Sequence, residues 1–240
     1  MKLAILPARG GSKRIPRKNI APFCGRPMLA WSIAAALDSQ SFDRILVSTD
    51  DEEIAEVARS AGAEVPFIRP ANLADDHTGT GPVVVHALEW QLAQGATVEQ
   101  VCCIYATAPF LQGTDLQLGL AQLKALDADF VFSVTSYAFP IQRAVRITPE
   151  QGVQMFQPEH FLTRSQDLEP AWHDAGQFYW GKSSAWLANK PFFEQKVSPY
   201  VLPRYRVQDI DTPEDWERAE WMFKAQRQAK SSDSLALSSR

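Results

Sequence analysis

The stretch Lys2-Leu3-Ala4-Ile5-Leu6-Pro7-Ala8-Arg9-Gly10-Gly11-Ser12-Lys13-Arg14-Ile15-Pro16-Arg17-Lys18-Asn19 decides the fold. Residues 2 to 6 form a short apolar run, the pattern of a buried strand. Pro7 and the glycines then break it. Two adjacent glycines let backbone N–H groups come close to a ligand, because no Cβ intervenes. Lys2, Arg9, Lys13, Arg14, Arg17, Lys18 and Arg26 surround them, and no acidic residue precedes Asp38. A strand that runs into a cationic glycine turn suits a polyphosphate: amides donate, and charges neutralise several oxygens. The loop therefore reads as the seat of a nucleoside triphosphate, with Ala8, Arg9, Gly10, Gly11, Ser12 and Lys18 near the phosphates. It is not a Walker A motif, because Gly10 and Gly11 are adjacent and Ser12 precedes Lys13. Nor is it Gly-x-Gly-x-x-Gly, the dinucleotide fingerprint. Nucleotidyl transfer is the use that remains.

Outward from the loop the chain keeps a βα rhythm. Pro27 opens a helix whose apolar face is Met28, Leu29, Trp31, Ile33, Ala36 and Leu37. Arg44–Thr49 reads as a second strand. Asp50-Asp51 cap a helix over Glu52–Ala61 that Gly62 stops, and Glu64–Ile68 reads as a third strand. This order predicts an α/β fold with a mostly parallel sheet covered by helices. Residues 69 to 81 form a polar loop, long enough to be functional. Pro82 opens a helix over Val83–Gln94. Val101–Tyr105 is a central strand, and Ala106-Thr107-Ala108-Pro109-Phe110 lies at its carboxyl end, where open α/β sheets bind ligands. A helix from Thr114 to Leu126 and a strand over Phe130–Thr135 follow. Residues 137 to 200 are richer in aromatics and prolines and read as an α+β insertion within one domain spanning 1 to 228. Tyr205–Ile210 is expected to return to the main sheet. Thr212-Pro213-Glu214-Asp215 opens the last helix, and the Ser-rich tail over 229 to 240 is expected to be disordered.

Composition narrows the function. The 240 residues are 45% hydrophobic, enough for a substantial core, and carry a formal net charge of −4. That balance argues against nucleic-acid binding: the cations are local to one loop and suit a small anion. A basic RNA-binding arm is also disfavoured, since the apolar run before the loop needs burial. No stretch reaches membrane-spanning length. Cys24, Cys102 and Cys103 show no metal-ligand spacing, and the last two sit in an apolar run as buried thiols. A reducing, cytoplasmic setting is expected. Covalent catalysis is disfavoured, because no nucleophile–base system suggests itself.

Asp209 and Asp211 are two apart. In extended chain both carboxylates share a face while Ile210 points inward. Such a pair can hold Mg²⁺, which takes carboxylate and phosphate oxygens and keeps several waters. Arg9 and Lys18 would hold the phosphates beside it. Asn19, Arg69, Thr78 and Thr80 are candidates for base and ribose. Thr107, Gln142, Arg143, Arg164, Gln177 and Tyr179 are candidates for an anionic, hydroxyl-rich partner, since an arginine fork matches a carboxylate.

Residues 4 to 19 resemble the opening of the CMP-sialic acid synthetases, the cytidylyltransferases of nine-carbon acidic sugars. Val47-Ser48-Thr49-Asp50-Asp51, Arg69-Pro70 and Asp209-Ile210-Asp211 agree in order and spacing, and the likeness covers roughly residues 1 to 225. Ile104–Phe110, Pro140–Ala144, Thr163–Asp167 and His173–Gly181 are similar to the pseudaminic acid branch of that family. The resemblance implies a Rossmann-like nucleotidyltransferase fold with a small α+β dimerisation insertion, and hence a homodimer. It implies CTP over the glycine loop, attack by the sugar's anomeric hydroxyl on the α-phosphorus, and Mg²⁺ on Asp209 and Asp211. Arg9 and Lys18 would hold phosphates, and Asn19 and Arg69 would serve the nucleotide. The product would feed surface glycans and flagellin glycosylation. Two departures fall on the sugar side. Tyr105 stands where sialic acid enzymes have a sugar-contacting Gln, and Ser165-Gln166-Asp167-Leu168-Glu169 replaces their Arg-Gln-Asp/Gln-Leu-Pro, with Arg164 one place early. Legionaminic and N-acetylneuraminic acid are the alternative substrates. A non-catalytic CTP-binding module is the alternative of another class.

Overall fold

The computed structural model describes the backbone of residues 1–75 and 78–238, and side chains as far as residue 229. In chain order the strands are β1 (Lys2–Pro7), β2 (Pro22–Phe23), β3 (Arg26–Pro27), β4 (Arg44–Ser48), β5 (Gln100–Ile104), β6 (Phe130–Ser136), β7 (Val145–Ile147), β8 (Val153–Met155), β9 (Trp172–Lys182) and β10 (Val197–Val201). The α-helices are α1 (Met28–Asp38), α2 (Glu52–Ser60), α3 (Thr80–Ala93), α4 (Gly113–Ala125), α5 (Ser183–Leu187) and α6 (Pro213–Ser238). Six strands form the central sheet in the order β10-β6-β9-β5-β1-β4. All pair in parallel except β9, which runs antiparallel to both neighbours.

Alternation along β1 explains the layers. Ala4 and Leu6 face a core shared with Leu29 and Ile33 of α1, Ile54 of α2 and Leu116 of α4. Leu3 and Ile5 face the opposite core, closed by Val84, Ala87 and Leu88 of α3. A run that is apolar on both faces needs helices on both faces, as a parallel sheet supplies. Cys102 and Cys103 divide between the two cores and are fully buried, and burial pushes both thiols up, which leaves them inert.

Five expectations need correction. Glu64–Ile68 forms only isolated bridges at Glu64 and Ile68, because Pro66 interrupts the ladder between them. Helix α3 starts at Thr80 rather than after Pro82, since a proline in the first turn removes an N–H that has no helical partner there. The insertion expected over 137 to 200 is not continuous. β9 occupies an interior position of the sheet and β10 an edge, and the β7–β8 hairpin and its flanks stand outside. The fully buried Phe178 and Trp180 hold β9 there. Tyr205–Ile210 does not rejoin the sheet: residues 204–206 form a 3₁₀ turn after Pro203, and β10 takes the edge instead, its Pro199 tolerated at an edge. The Ser-rich stretch expected to be disordered is helical as far as Ser238, continuing a helix already nucleated upstream, while residues 239–240 lie outside the described residues. No helix of the described residues is long and apolar enough to cross a membrane.

Candidate active site

Lys18 joins the two ends of the chain. Its Nζ donates to Ile210 O at 2.6 Å and to Asp211 Oδ1 at 3.1 Å, across 193 positions of sequence for the second. Arg14 Nη2 reaches Asp211 Oδ2 at 2.8 Å. The N-terminal loop and Asp211 of the acid dyad thus meet at one crevice of about 460 Å³, whose walls include Arg9, Ser12, Lys18, Asn19, Thr80, Thr107 and Asp211. It lies at the carboxyl ends of β1 and β5, as the sheet topology requires.

The loop is held from beneath by Asp50 and Asp51. Gly10 N–H donates to Asp50 Oδ1 at 3.0 Å. A Cβ on Gly10 would stand 2.8 Å from Asp51 Oδ2, so this glycine is required by the approach of a carboxylate. Arg17, at φ 56°, turns back onto Asp51 and Glu53. The guanidinium of Arg17 holds the Asp51 carboxyl below its usual range, and Asp51 Oδ1 also accepts from Ile54 N at 3.0 Å to cap α2. Ala8 is buried and gives its N–H to Ser48 O. The amides of Ala8 and Gly10 thus bond within the loop's own fold. Gly11 and Ser12 remain at the tip.

Several expected nucleotide ligands also brace the loop, Asn19 among them while it lines the crevice. Asn19 is buried and its Nδ2 donates to Arg9 O at 2.9 Å. Arg69 is 5% exposed, donating to Ser48 Oγ at 3.2 Å, to Ser48 O, and to Leu73 O at 3.4 Å. Burial lowers its pKa, against the pull of Asp50. Thr78 Oγ1 bonds within its loop to Asn72 O. Thr80 alone of the two threonines lines the crevice.

Between the two acids Ile210 turns inward. Ile210, 1% exposed, packs with Phe23, Met28 and Phe223 under α6, and its acidic neighbours lie more open. Partial desolvation, and next the charge of Asp211, hold Asp209 above the usual carboxylate range. A cation between them would relieve that repulsion. Two carboxylates suit a hard divalent ion that leaves its other positions to phosphates and water. Among the described residues no group of three or more His, Cys, Asp or Glu is placed to hold a metal ion. The α6 capping box fixes the far side: Asp215 Oδ2 accepts from Thr212 N at 2.8 Å and from Asp211 N at 3.2 Å, and Thr212 Oγ1 accepts from Asp215 N at 3.2 Å.

A second cavity of about 980 Å³ adjoins the first through Tyr105 and Thr80. Its walls are aromatic: Phe132, Trp172, Tyr179, Trp186, Phe192 and Phe193. Tyr105 and Tyr179 stack with centroids 6.0 Å apart. Burial pushes Tyr105 up to about 12 and raises Tyr179 as well, so both stay protonated donors. Tyr179 OH donates to Asp174, whose other oxygen accepts from Gly176 N at 2.8 Å. Of the expected sugar contacts, Tyr105, Thr107 and Tyr179 line one cavity or the other. Gln177 does not: it is 3% exposed and donates to Arg206 O at 2.6 Å. Gln142, Arg143 and Arg164 lie on the outlying arm and bond to Glu169 O, Phe161 O and Asp167. Within one chain they reach neither cavity.

The sequence reading missed Asp50 beneath the loop, Asp174 in the aromatic cavity, and the buried pair Asp115–Arg206. Asp115 carried a signal, as an acid in the first turn of a helix; the other two acquire partners only in three dimensions.

The sequence profile described as cytidylyltransferase matches residues 3–224. A pseudaminic acid cytidylyltransferase of Campylobacter jejuni is 46% identical over 227 residues, covering 95% of this chain and 98% of that one. A CMP-N,N'-diacetyllegionaminic acid synthase of Legionella pneumophila is 31% identical over 234 residues, covering 95% and 98%. Among solved structures, a CMP:2-keto-3-deoxy-manno-octonic acid synthetase complexed with CTP superposes with a TM-score of 0.70 at 14% identity, covering 94% and 99%. This last likeness concerns the fold alone.

Proposed function

The chain belongs to the cytidylyltransferase family, and from that premise we propose that it transfers CMP from CTP to the anomeric hydroxyl of pseudaminic acid. The 46% identity to the Campylobacter jejuni enzyme supports the sugar assignment. The observation that carries the chemistry is the contact of Lys18 with Asp211, which brings cations and acids to one crevice. The sugar oxygen forms a bond to the α-phosphorus, the bond to pyrophosphate breaks, and the hydroxyl gives up its proton. Such transfers depend on positioning and charge neutralisation. Arg9, Lys13 and Lys18 offer cations to the triphosphate, and Gly11 and Ser12 offer the loop tip. Asp209 and Asp211 would hold Mg²⁺, which when bound neutralises charge on the phosphates and the leaving pyrophosphate. Thr107 and Thr80 flank the reacting groups, and Tyr105 and Tyr179 line the way to the aromatic cavity, where apolar walls suit acyl and methyl substituents of the sugar.

The working form is a homodimer. The arm exposes Phe139 at 82%, Ile147 at 79% and Leu162 at 88%, with Phe156 and Phe161 also open. A patch of that kind marks an interaction surface. A second copy would also give Gln142, Arg143 and Arg164 a site to reach. The free thiols and the use of CTP support action in the cytoplasm, and the product would serve surface and flagellin glycans.

The test is pyrophosphate release with pseudaminic, legionaminic and N-acetylneuraminic acids, each with all four nucleoside triphosphates and Mg²⁺. Turnover with CTP and pseudaminic acid is expected to exceed every other pair. CTP binding with no product from any acidic sugar would point to a non-catalytic sensor.

A further inference from the structure

We propose that Arg206, gripped by Asp115 and Gln177, is a positioning residue that sets the Asp209–Asp211 dyad at the crevice. The inference rests on the reading of that dyad as the cation holder. The chain's last backbone–backbone hydrogen bond to the sheet is at Leu202, whose N–H donates to Val134 O and whose carbonyl accepts from Thr135 Oγ1, both at 2.8 Å. Helix α6 begins at Pro213. Between these points no strand carries the chain, yet the dyad lies there and must be placed accurately. The α6 capping box fixes the far side through Asp211 N. Arg206 fixes the near side.

Both halves of Arg206 are held. Its guanidinium Nη2 donates to Asp115 Oδ2, with the two side chains only 12% and 4% exposed. Its carbonyl accepts from Gln177 Nε2 at 2.6 Å. Asp115 sits in the first turn of α4 and accepts also from Gln112 N at 3.1 Å and Tyr200 OH at 3.3 Å. Gln177 sits on β9, its N–H near Ser133 Oγ at 3.3 Å. The grip therefore comes from α4 and from an interior strand, two rigid elements of the main layers. None of the three side chains lines the crevice.

Stability is a poor reason for this arrangement. Desolvating two charges offsets much of their attraction, so a buried pair adds little net stability. The packing also leaves Gln177 Oε1 and Arg206 Nε buried without a protein partner, which adds a cost. What a guanidinium fork supplies is a fixed geometry, and the segment it fixes ends in the dyad.

The experiment compares Arg206→Lys, Asp115→Asn and Gln177→Leu with the parent and with Asp211→Asn. Two readouts are taken apart from turnover: binding of Mn²⁺ in the presence of CTP, followed by loss of the free-ion paramagnetic signal, and amide hydrogen exchange over residues 207 to 212. Arg206→Lys is expected to bind Mn²⁺ about tenfold more weakly, as loss of a group supporting metal ligands does. Exchange over 207 to 212 should quicken while β1 stays protected, and CTP affinity without metal should hold. Variants that melt at lower temperature but keep the parent's Mn²⁺ affinity would overturn the inference. Should Asp115→Asn fail to fold, Gln177→Leu, which removes one neutral hydrogen bond, decides. Unchanged Mn²⁺ affinity in Asp211→Asn would instead overturn the dyad reading itself.

Discussion

Two cavities meet at Tyr105 and Thr80, and they are built in opposite ways. The phosphate-side crevice is polar, and Lys18 and Arg14 pair there with Asp211. The neighbouring cavity is walled by aromatic rings and carries one hydrogen-bonded carboxylate, Asp174. A triphosphate needs many charge contacts whatever sugar is used, whereas the second substrate is told apart by shape and by a few hydrogen bonds. On the proposed function, chemistry falls to the first cavity and selectivity to the second.

The sharpest way to break this division is Asp211→Ala. Turnover is expected to fall on the order of 10³-fold, the scale for removing an electrostatic contact to a developing charge. Circular dichroism should show the fold retained, and near-normal rates in excess Mg²⁺ would end the assignment. Next in size, Lys18→Met should lower kcat/KM for CTP about 10²-fold and leave the KM for sugar little changed, because the lysine faces only the polar side. In steady-state kinetics, Tyr179→Phe should do the reverse. Loss of a hydroxyl that orients the sugar raises its KM by about tenfold, the worth of one good hydrogen bond, with the KM for CTP unmoved. Equal changes in both constants would show that the two cavities do not act separately.

The arm tests a third element. Replacing Phe161 and Leu162 together by Ser should convert a dimer into monomers by light scattering. Activity would fall with it if partner side chains complete the sugar site. The smallest effect concerns pH. In the fold, Arg17 lowers the Asp51 carboxyl, so its contribution is present above the unfolded value of about 4 and is lost as pH falls through the folded value. Asp51→Asn should lower Tm most at neutral pH and converge with the parent in acid, so that the acid limb of Tm against pH flattens. Arg17 is 38% exposed, so the shift will be modest.

The difference between the cavities also explains what could be read in advance. Residues of the polar crevice announce themselves by type and local spacing: a glycine turn among cations, two acids flanking an isoleucine. Even there the internal contacts appear only on folding, since Asn19 and Arg69 are buried and bond to the loop and to Ser48. The aromatic cavity has no local signature. Phe132, Tyr179 and Phe192 lie on separate elements, and an aromatic residue on a strand looks the same whether it fills a core or lines a cavity. Strand β9 was absorbed into an expected insertion because βα rhythm predicts parallel neighbours, while β9 enters the sheet from a long arm in the other direction.

Sequence by itself determined the layered α/β architecture, the first strand and its cationic turn, and the carboxylate pair with its inward isoleucine. Those features depend on periodicity and on residues adjacent in the chain. Tertiary structure alone decided that Lys18 meets Asp211, that Arg17 turns away from the crevice to Asp51, and that Arg206 closes on Asp115. Such pairings join residues tens to hundreds of positions apart, and which cation finds which acid is settled by how the helices pack on the sheet.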